Sequence, residues 1–156
     1  MKLFSILLIS ILSLPGSFCF DKFEIIESTS QKWYGGQRDA GYGTYYEINI
    51  VPNANSESLK FDKIWIGEKY FEVSSYQKGK KIKNNTFSKG DTITININDR
   101  TVPNFSHQEN TEKCLTEKHE LPYKYQGKAL LSFQYKDKSK YKEIEKFTIL
   151  KELLYP

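Results

Sequence analysis

One short stretch late in the chain holds its only two histidines together with one of its two cysteines. His107, Cys114 and His119 follow one another in the order H-x6-C-x4-H. Thiolate and imidazole groups are good ligands for zinc and copper, so a metal site in the 107–119 loop is one hypothesis. The spacing matches no closed zinc pattern, and the only methionine, the usual weak axial ligand of blue copper, is the initiator. The competing interpretation is a charged, solvated loop that binds no cofactor.

A second candidate is the stretch WYGGQRDAGYGTYY at positions 33–46, which is rich in glycines and aromatic residues. Gly36 and Gly41 have the spacing of a phosphate-binding loop, but the next two residues are Tyr42 and Gly43 instead of Lys and Ser or Thr. The stretch also leads into an expected strand, whereas a phosphate loop needs the amides of a helix N-terminus. A phosphate site is therefore excluded.

The same aromatic residues could instead form a flat face that binds a sugar. In this hypothesis the 33–45 loop is a carbohydrate site. Its aromatic platform is formed by Trp33, Tyr34, Tyr42 and Tyr45, and its hydrogen-bonding partners are Arg38 and Asp39. The alternative is ordinary packing, because aromatic residues near the ends of a sandwich often fill its core or rim. Alternation along the strand would bury at least one tyrosine of the pair Tyr45–Tyr46.

No catalytic set emerges from the sequence. A Cys–His pair needs an oriented thiolate beside its base, and proximity of Cys114 to His119 along the chain does not provide one. No nucleophile elbow of the G-x-S-x-G type is present. We therefore expect no enzyme. A hydrolase acting on envelope material remains an alternative because fold alone does not decide function.

Residues 1–19 have the layout of a secretory signal peptide. Lys2 gives the positive start, the apolar run Leu3–Leu14 follows, and Pro15 ends it. The run is shorter than the about 20 residues that span a bilayer, so no transmembrane segment is expected. A lipid anchor on Cys19 is the alternative, but such a site needs a small residue just before the cysteine, and this chain has Phe18 there. The expected location is periplasmic, cell-surface or extracellular.

The charge pattern argues against a nucleic-acid partner. The chain carries a formal net charge of +4, and its lysines are interspersed with acidic residues, whereas nucleic-acid binders usually concentrate Arg and Lys on one surface. The expected partner is an unknown protein or a glycan. Without Cys19, Cys114 has no second cysteine for an internal disulfide, so the fold must depend on its core.

Alternating apolar and polar residues predict an all-β protein. In the stretch TITININ, Ile93, Ile95 and Ile97 point to one side and polar residues to the other, as a half-buried strand requires. Seven to eight such runs separated by turns predict a single immunoglobulin-like antiparallel β-sandwich, with a small β-barrel as the alternative.

Two hairpins are expected among these runs. Gly67-Glu68 is a two-residue loop that suits a tight turn with glycine at positive φ, and the stretch DKSK suits a slightly longer hairpin. Ile144–Leu150 is the expected closing strand. One domain is expected over residues 20–156, with a long loop at 99–126.

Two stretches, WYGGQRDAGYGTYYEINI and YQGKALLSFQYKDKSKYKEIEKFTILKELLYP, resemble small exported β-sandwich proteins of Bacteroidetes-type bacteria. The resemblance implies a periplasmic or surface location and carries no activity and no site residues. Together with the strand pattern, it leads us to expect an exported, non-enzymatic protein with a binding or structural role.

Overall fold

The computed structural model describes residues 21–37, 40–82, 86–103 and 120–156. These residues form no helix; they form eleven strands, which are β1 (Phe23–Tyr34), β2 (Tyr42–Pro52), β3 (Leu59–Ile66), β4 (Lys69–Glu72), β5 (Ser75–Gln77), β6 (Lys80–Lys81), β7 (Ile93–Thr101), β8 (Ala129–Tyr135), β9 (Lys138–Ile144), β10 (Thr148–Ile149) and β11 (Leu153–Leu154).

The strands belong to two sheets. The large sheet has the order β10-β1-β2-β7-β5-β6, with β11 also paired to β1, and the small sheet has the order β4-β3-β8-β9. The prediction of an all-β protein built as a sandwich is confirmed. Two details differ. The C-terminal stretch forms two separate two-residue strands instead of one closing strand, and both pair with β1 in parallel.

The core lies between the sheets and follows from the alternation. Ile93, Ile95 and Ile97 of β7 are all buried, as predicted, and Ile48 and Ile50 of the neighbouring β2 lie on the same inner face. The small sheet contributes the opposing apolar side chains, Leu59, Phe61, Ile64, Ala129, Leu131, Phe133 and Ile144. Successive side chains of a strand leave opposite faces, so this core fixes which residues of β2 and β7 face outward.

Two tight hairpin turns set the strand pairings. Gly67 opens the two-residue turn between β3 and β4 with φ of 62°, which fits the predicted glycine turn. The turn between β8 and β9 is shorter than the sequence suggested. Only Lys136 and Asp137 connect Tyr135 to its partner Lys138, and both have positive φ, 49° and 60°. A two-residue turn with positive φ at both positions normally contains Asn-Gly or Asp-Gly.

The expected loop at 99–126 begins later than predicted, because β7 continues through Asp99 to Thr101. Residues 104–119 lie outside the described part of the chain. The described residues after them run over the outer face of the small sheet, where the Tyr125 hydroxyl donates to the Gly67 carbonyl at 2.9 Å. The Glu143 carboxylate accepts hydrogen bonds from the backbone amides of Gln126 and Gly127. This end of the stretch is therefore ordered by specific bonds.

The core assignment predicts unequal effects for two substitutions in the same region. Ile95→Ala should lower the free energy of unfolding by about 2–5 kcal/mol, because it leaves a cavity between the sheets. Thr92→Ala, at an exposed position just before β7, should change it by less than about 0.5 kcal/mol. Chemical denaturation of both variants checks this. Equal effects would contradict the placement of β7.

The turn geometry generates a second prediction. Replacing Lys136-Asp137 by Asn-Gly should raise the free energy of unfolding by about 1 kcal/mol, because these residues adopt positive φ with less strain. Lys136→Val should lower it, since a β-branched residue fits this region poorly. Thermal denaturation measures both. A destabilised Asn-Gly variant would show that the turn has a different conformation.

Candidate functional site

The outer face of the large sheet carries a groove of about 430 Å³ that crosses β1, β2, β7 and β5. We call it the outer groove. Its outward-facing lining residues are Gln31, Tyr45, Glu47, Tyr76, Asn96 and Asn98, and Tyr46 and Ile97, whose side chains face inward, lie between them in β2 and β7. Its volume lies within the range of about 300–1,000 Å³ found for small-molecule sites.

Strand register brings the polar side chains of the outer groove together. Gln31 of β1 lies opposite Tyr45 of β2, which lies opposite Asn98 of β7. In the next outward-facing row Glu47 lies opposite Asn96. Directly paired residues on one face have Cβ atoms about 4.5–5.5 Å apart, so five side chains from three strands form one continuous surface.

Tyr45 is held in place by the ring beneath it. Its ring stacks on that of Trp33, with 5.6 Å between centroids and an interplanar angle of 22°. Trp33 is on the outer face yet only 5 % exposed, and the Arg100 guanidinium lies 6.0 Å from its ring centroid. A Cβ at Gly43 would come within 2.9 Å of Trp33 Nε1. The glycine is therefore what lets the indole lie flat against the sheet.

Hydrogen bonds orient the polar residues at both ends of this surface. Trp33 Nε1 donates to Asn98 Oδ1 at 3.1 Å, which turns the amide nitrogen of Asn98 away from the indole. At the other end Thr94 Oγ1 donates to Asn49 Oδ1 at 2.8 Å, and Asn49 Nδ2 donates to Glu47 Oε1 at 3.2 Å. Among the described residues Asn96 makes no side-chain hydrogen bond, so its amide remains available to a ligand.

Burial also affects the ionisation of Tyr45. Loss of hydration raises the pKa of its phenol, and the neighbouring Tyr155 phenol raises this pKa further. Tyr45 therefore stays a neutral hydroxyl at physiological pH, able both to donate and to accept a hydrogen bond.

The structure separates the aromatic residues that the sequence grouped into one platform. Trp33 lies on the outer face, whereas Tyr34 and Tyr42 form a cross-strand pair on the opposite face at the end of the sheet. Tyr34 is 38 % and Tyr42 is 49 % exposed. Trp33 and this pair thus cannot contact the same flat ligand. Arg38 and Asp39 lie outside the described residues.

The hypothesis of a metal site is not tested by the fold. His107, Cys114 and His119 all lie outside the described residues. Within residues 21–37, 40–82, 86–103 and 120–156, no group of three or more His, Cys, Asp or Glu side chains is arranged to hold a metal ion.

Of the side chains that line the outer groove, the sequence analysis identified only Tyr45. It grouped Tyr45 with the proposed sugar platform of the 33–45 loop. The signal was present in the polar half of the alternating stretch TITININ, where Asn96 and Asn98 stand. An outward-facing asparagine alone indicates only solvent exposure. Recognising the groove required the register that places Gln31 and Tyr45 beside Asn98.

Comparisons with protein-family models, with curated proteins and with solved structures found no match. Over the ranges that the structure describes, there is no helix with the length and apolar character needed to cross a membrane.

The raised pKa of Tyr45 predicts how stability depends on pH. Because the folded-state pKa lies above the unfolded value of about 10, the unfolded state loses its proton first. The stabilising contribution is complete below about pH 10 and is lost as pH rises through the folded-state pKa. The free energy of unfolding of Tyr45→Phe should therefore fall less steeply above pH 10 than that of the unchanged protein. Denaturant titrations at several alkaline pH values measure both slopes, and identical slopes would contradict the burial of this hydroxyl.

Proposed function

We propose that this protein is an exported, non-enzymatic binding protein that takes a carbohydrate chain in the outer groove. The observation that carries the proposal is the row Gln31–Tyr45–Asn98, in which a ring supported by Trp33 stands between two side-chain amides. An exported role rests on the signal peptide expected at residues 1–19.

The chemistry of this row suits a sugar. A pyranose ring has faces rich in C–H groups and an edge of hydroxyl groups. The electron-rich face of an aromatic ring attracts the slightly positive C–H groups. Amide side chains both donate and accept hydrogen bonds, which matches hydroxyl groups that do the same. Tyr45 can therefore contact the sugar face while Gln31 and Asn98 contact its edge.

The open shape of the outer groove supports binding of a chain instead of a single small molecule. The groove crosses four strands of the sheet, so a linear ligand can run across it and contact Tyr45 and Tyr76 from successive units. Rigid strands hold these groups in place before the ligand arrives, which reduces the entropy lost on binding. A preformed surface of this kind needs no loop closure.

The lining also supports binding over hydrolysis. Most glycoside hydrolases use a pair of carboxyl groups that flank the scissile bond. Among the described residues that line the outer groove, Glu47 is the single carboxylate, and one of its oxygens accepts from Asn49. Glu47 therefore serves in this proposal as a hydrogen-bond acceptor for the ligand.

The proposal predicts that the purified mature protein binds polysaccharide fragments, as a glycan array followed by isothermal titration calorimetry would show. Asn96→Ala should weaken the affinity about 3- to 10-fold, because it removes an exposed amide that the fold does not use. Thr101→Ala is the matched control. Thr101 is exposed at the C-terminal end of β7 and does not line the outer groove, so this variant should bind like the unchanged protein. If no glycan class binds at millimolar concentration, the proposal is wrong.

A further inference from the structure

The C-terminal segment, residues 148–155, is bonded along the outer edge of β1 and reaches the outer groove from there. The Leu150 amide donates to the Ser30 carbonyl at 2.8 Å, and the Tyr155 amide donates to the Tyr34 carbonyl at 3.0 Å. β10 lies just before the first of these bonds and β11 just before the second, and both strands pair in parallel with β1. The segment thus has a fixed register against the strand that carries Gln31 and Trp33.

Two lining residues of the outer groove take their orientation from this segment. Gln31 Nε2 donates to the Lys151 carbonyl at 2.8 Å, so its Oε1 and the second hydrogen of Nε2 are left for a ligand. The Tyr155 phenol lies beside that of Tyr45 and raises its pKa. Tyr155 also packs edge-on against Trp33, with ring centroids 6.3 Å apart and an interplanar angle of 71°.

Tyr45 is positioned through the indole on which it stacks. Trp33 holds the Tyr45 ring in one place only while the indole itself is fixed. An edge-on aromatic neighbour restricts the indole, because aromatic pairs prefer a defined geometry. Tyr155 supplies that edge-on contact. The C-terminal segment therefore completes a surface that β1 and β2 only begin.

We infer that the C-terminal segment is part of the carbohydrate site, with Tyr155 as the positioning residue for Tyr45 and the Lys151 carbonyl as the positioning group for Gln31. This inference rests on the proposed function, because it assigns these groups a role in recognising the same ligand. It adds that the sugar-contacting surface exists only while the segment is docked on β1.

Gly36 offers a way to disturb the segment without altering any lining residue. A Cβ at this position would overlap the carbonyl carbon of Pro156 and would come within 2.5 Å of the Tyr155 carbonyl oxygen. Gly36→Ala should therefore push residues 155–156 away from β1. Gln37→Ala, at the exposed neighbouring position, is the matched control.

The test compares Tyr155→Ala, Gly36→Ala and Gln37→Ala by calorimetric titration with the glycan fragment that the unchanged protein binds best. Tyr155→Ala removes the ring that packs edge-on against Trp33, and it should weaken binding about 3- to 10-fold. Gly36→Ala should weaken it at least as much, with a midpoint of thermal unfolding close to that of Gln37→Ala. Unchanged affinity in both variants, with Tm preserved, would overturn the inference.

A second readout does not depend on any ligand. The ring carbon of Tyr45 that bears the hydroxyl can be followed by NMR across alkaline pH in the unchanged protein and in Tyr155→Ala. The pKa of Tyr45 should fall toward its ordinary value in the variant, because one cause of its rise is removed. If the pKa falls but no glycan binds, the proposed function fails while the positioning of Tyr45 stands. If the pKa does not change, the positioning itself is wrong.

Discussion

The packing of isoleucines from β2 and β7 against the small sheet is the constraint from which the rest of the structure follows. Once Ile48, Ile95 and Ile97 are fixed inward, the residues between them must point outward, because a strand alternates its side chains. Slipping either strand by one position would move the isoleucines into water and the asparagines into the core. The free energy of core burial therefore sets the arrangement of the outer groove, although none of its polar side chains contributes to that burial.

The aromatic side chains of the large sheet are buried in two different ways. Those on the inner face, such as Tyr46, pack against the core, where the Phe147 ring meets it at 5.1 Å. Trp33 lies on the outer face and is buried by neighbours that stand on it, namely Tyr45, Tyr155 and the Arg100 side chain. A satellite cluster of this kind needs residues from four separate parts of the chain. It makes the outer groove dependent on tertiary contacts that no single stretch of sequence contains.

The fold was predictable from the sequence because it depends on short-range alternation. The stretch TITININ and the glycine turn at Gly67 each carry their own signal, and both predictions are confirmed. The site was less predictable because its members come from β1, β2, β5 and β7, and register between strands is a long-range property. Nearness along the chain suggested a platform of Trp33 with Tyr34 and Tyr42, but adjacent residues of a strand face opposite ways. The hairpin between β8 and β9 was expected, but its two-residue length was not, since neither Lys136 nor Asp137 is a glycine or an asparagine.

The two edges of β1 acquire their hydrogen-bonding partners at different times during synthesis. β2 follows β1 closely in the chain, so one edge is covered early. The contacts on the other edge join residues 118–120 positions apart, and during synthesis they form only after residues 146–151 have been made. Until then a long strand presents unpaired amides and carbonyls, a template for association with other chains. This topology therefore leaves one edge of β1 open to association through much of its synthesis.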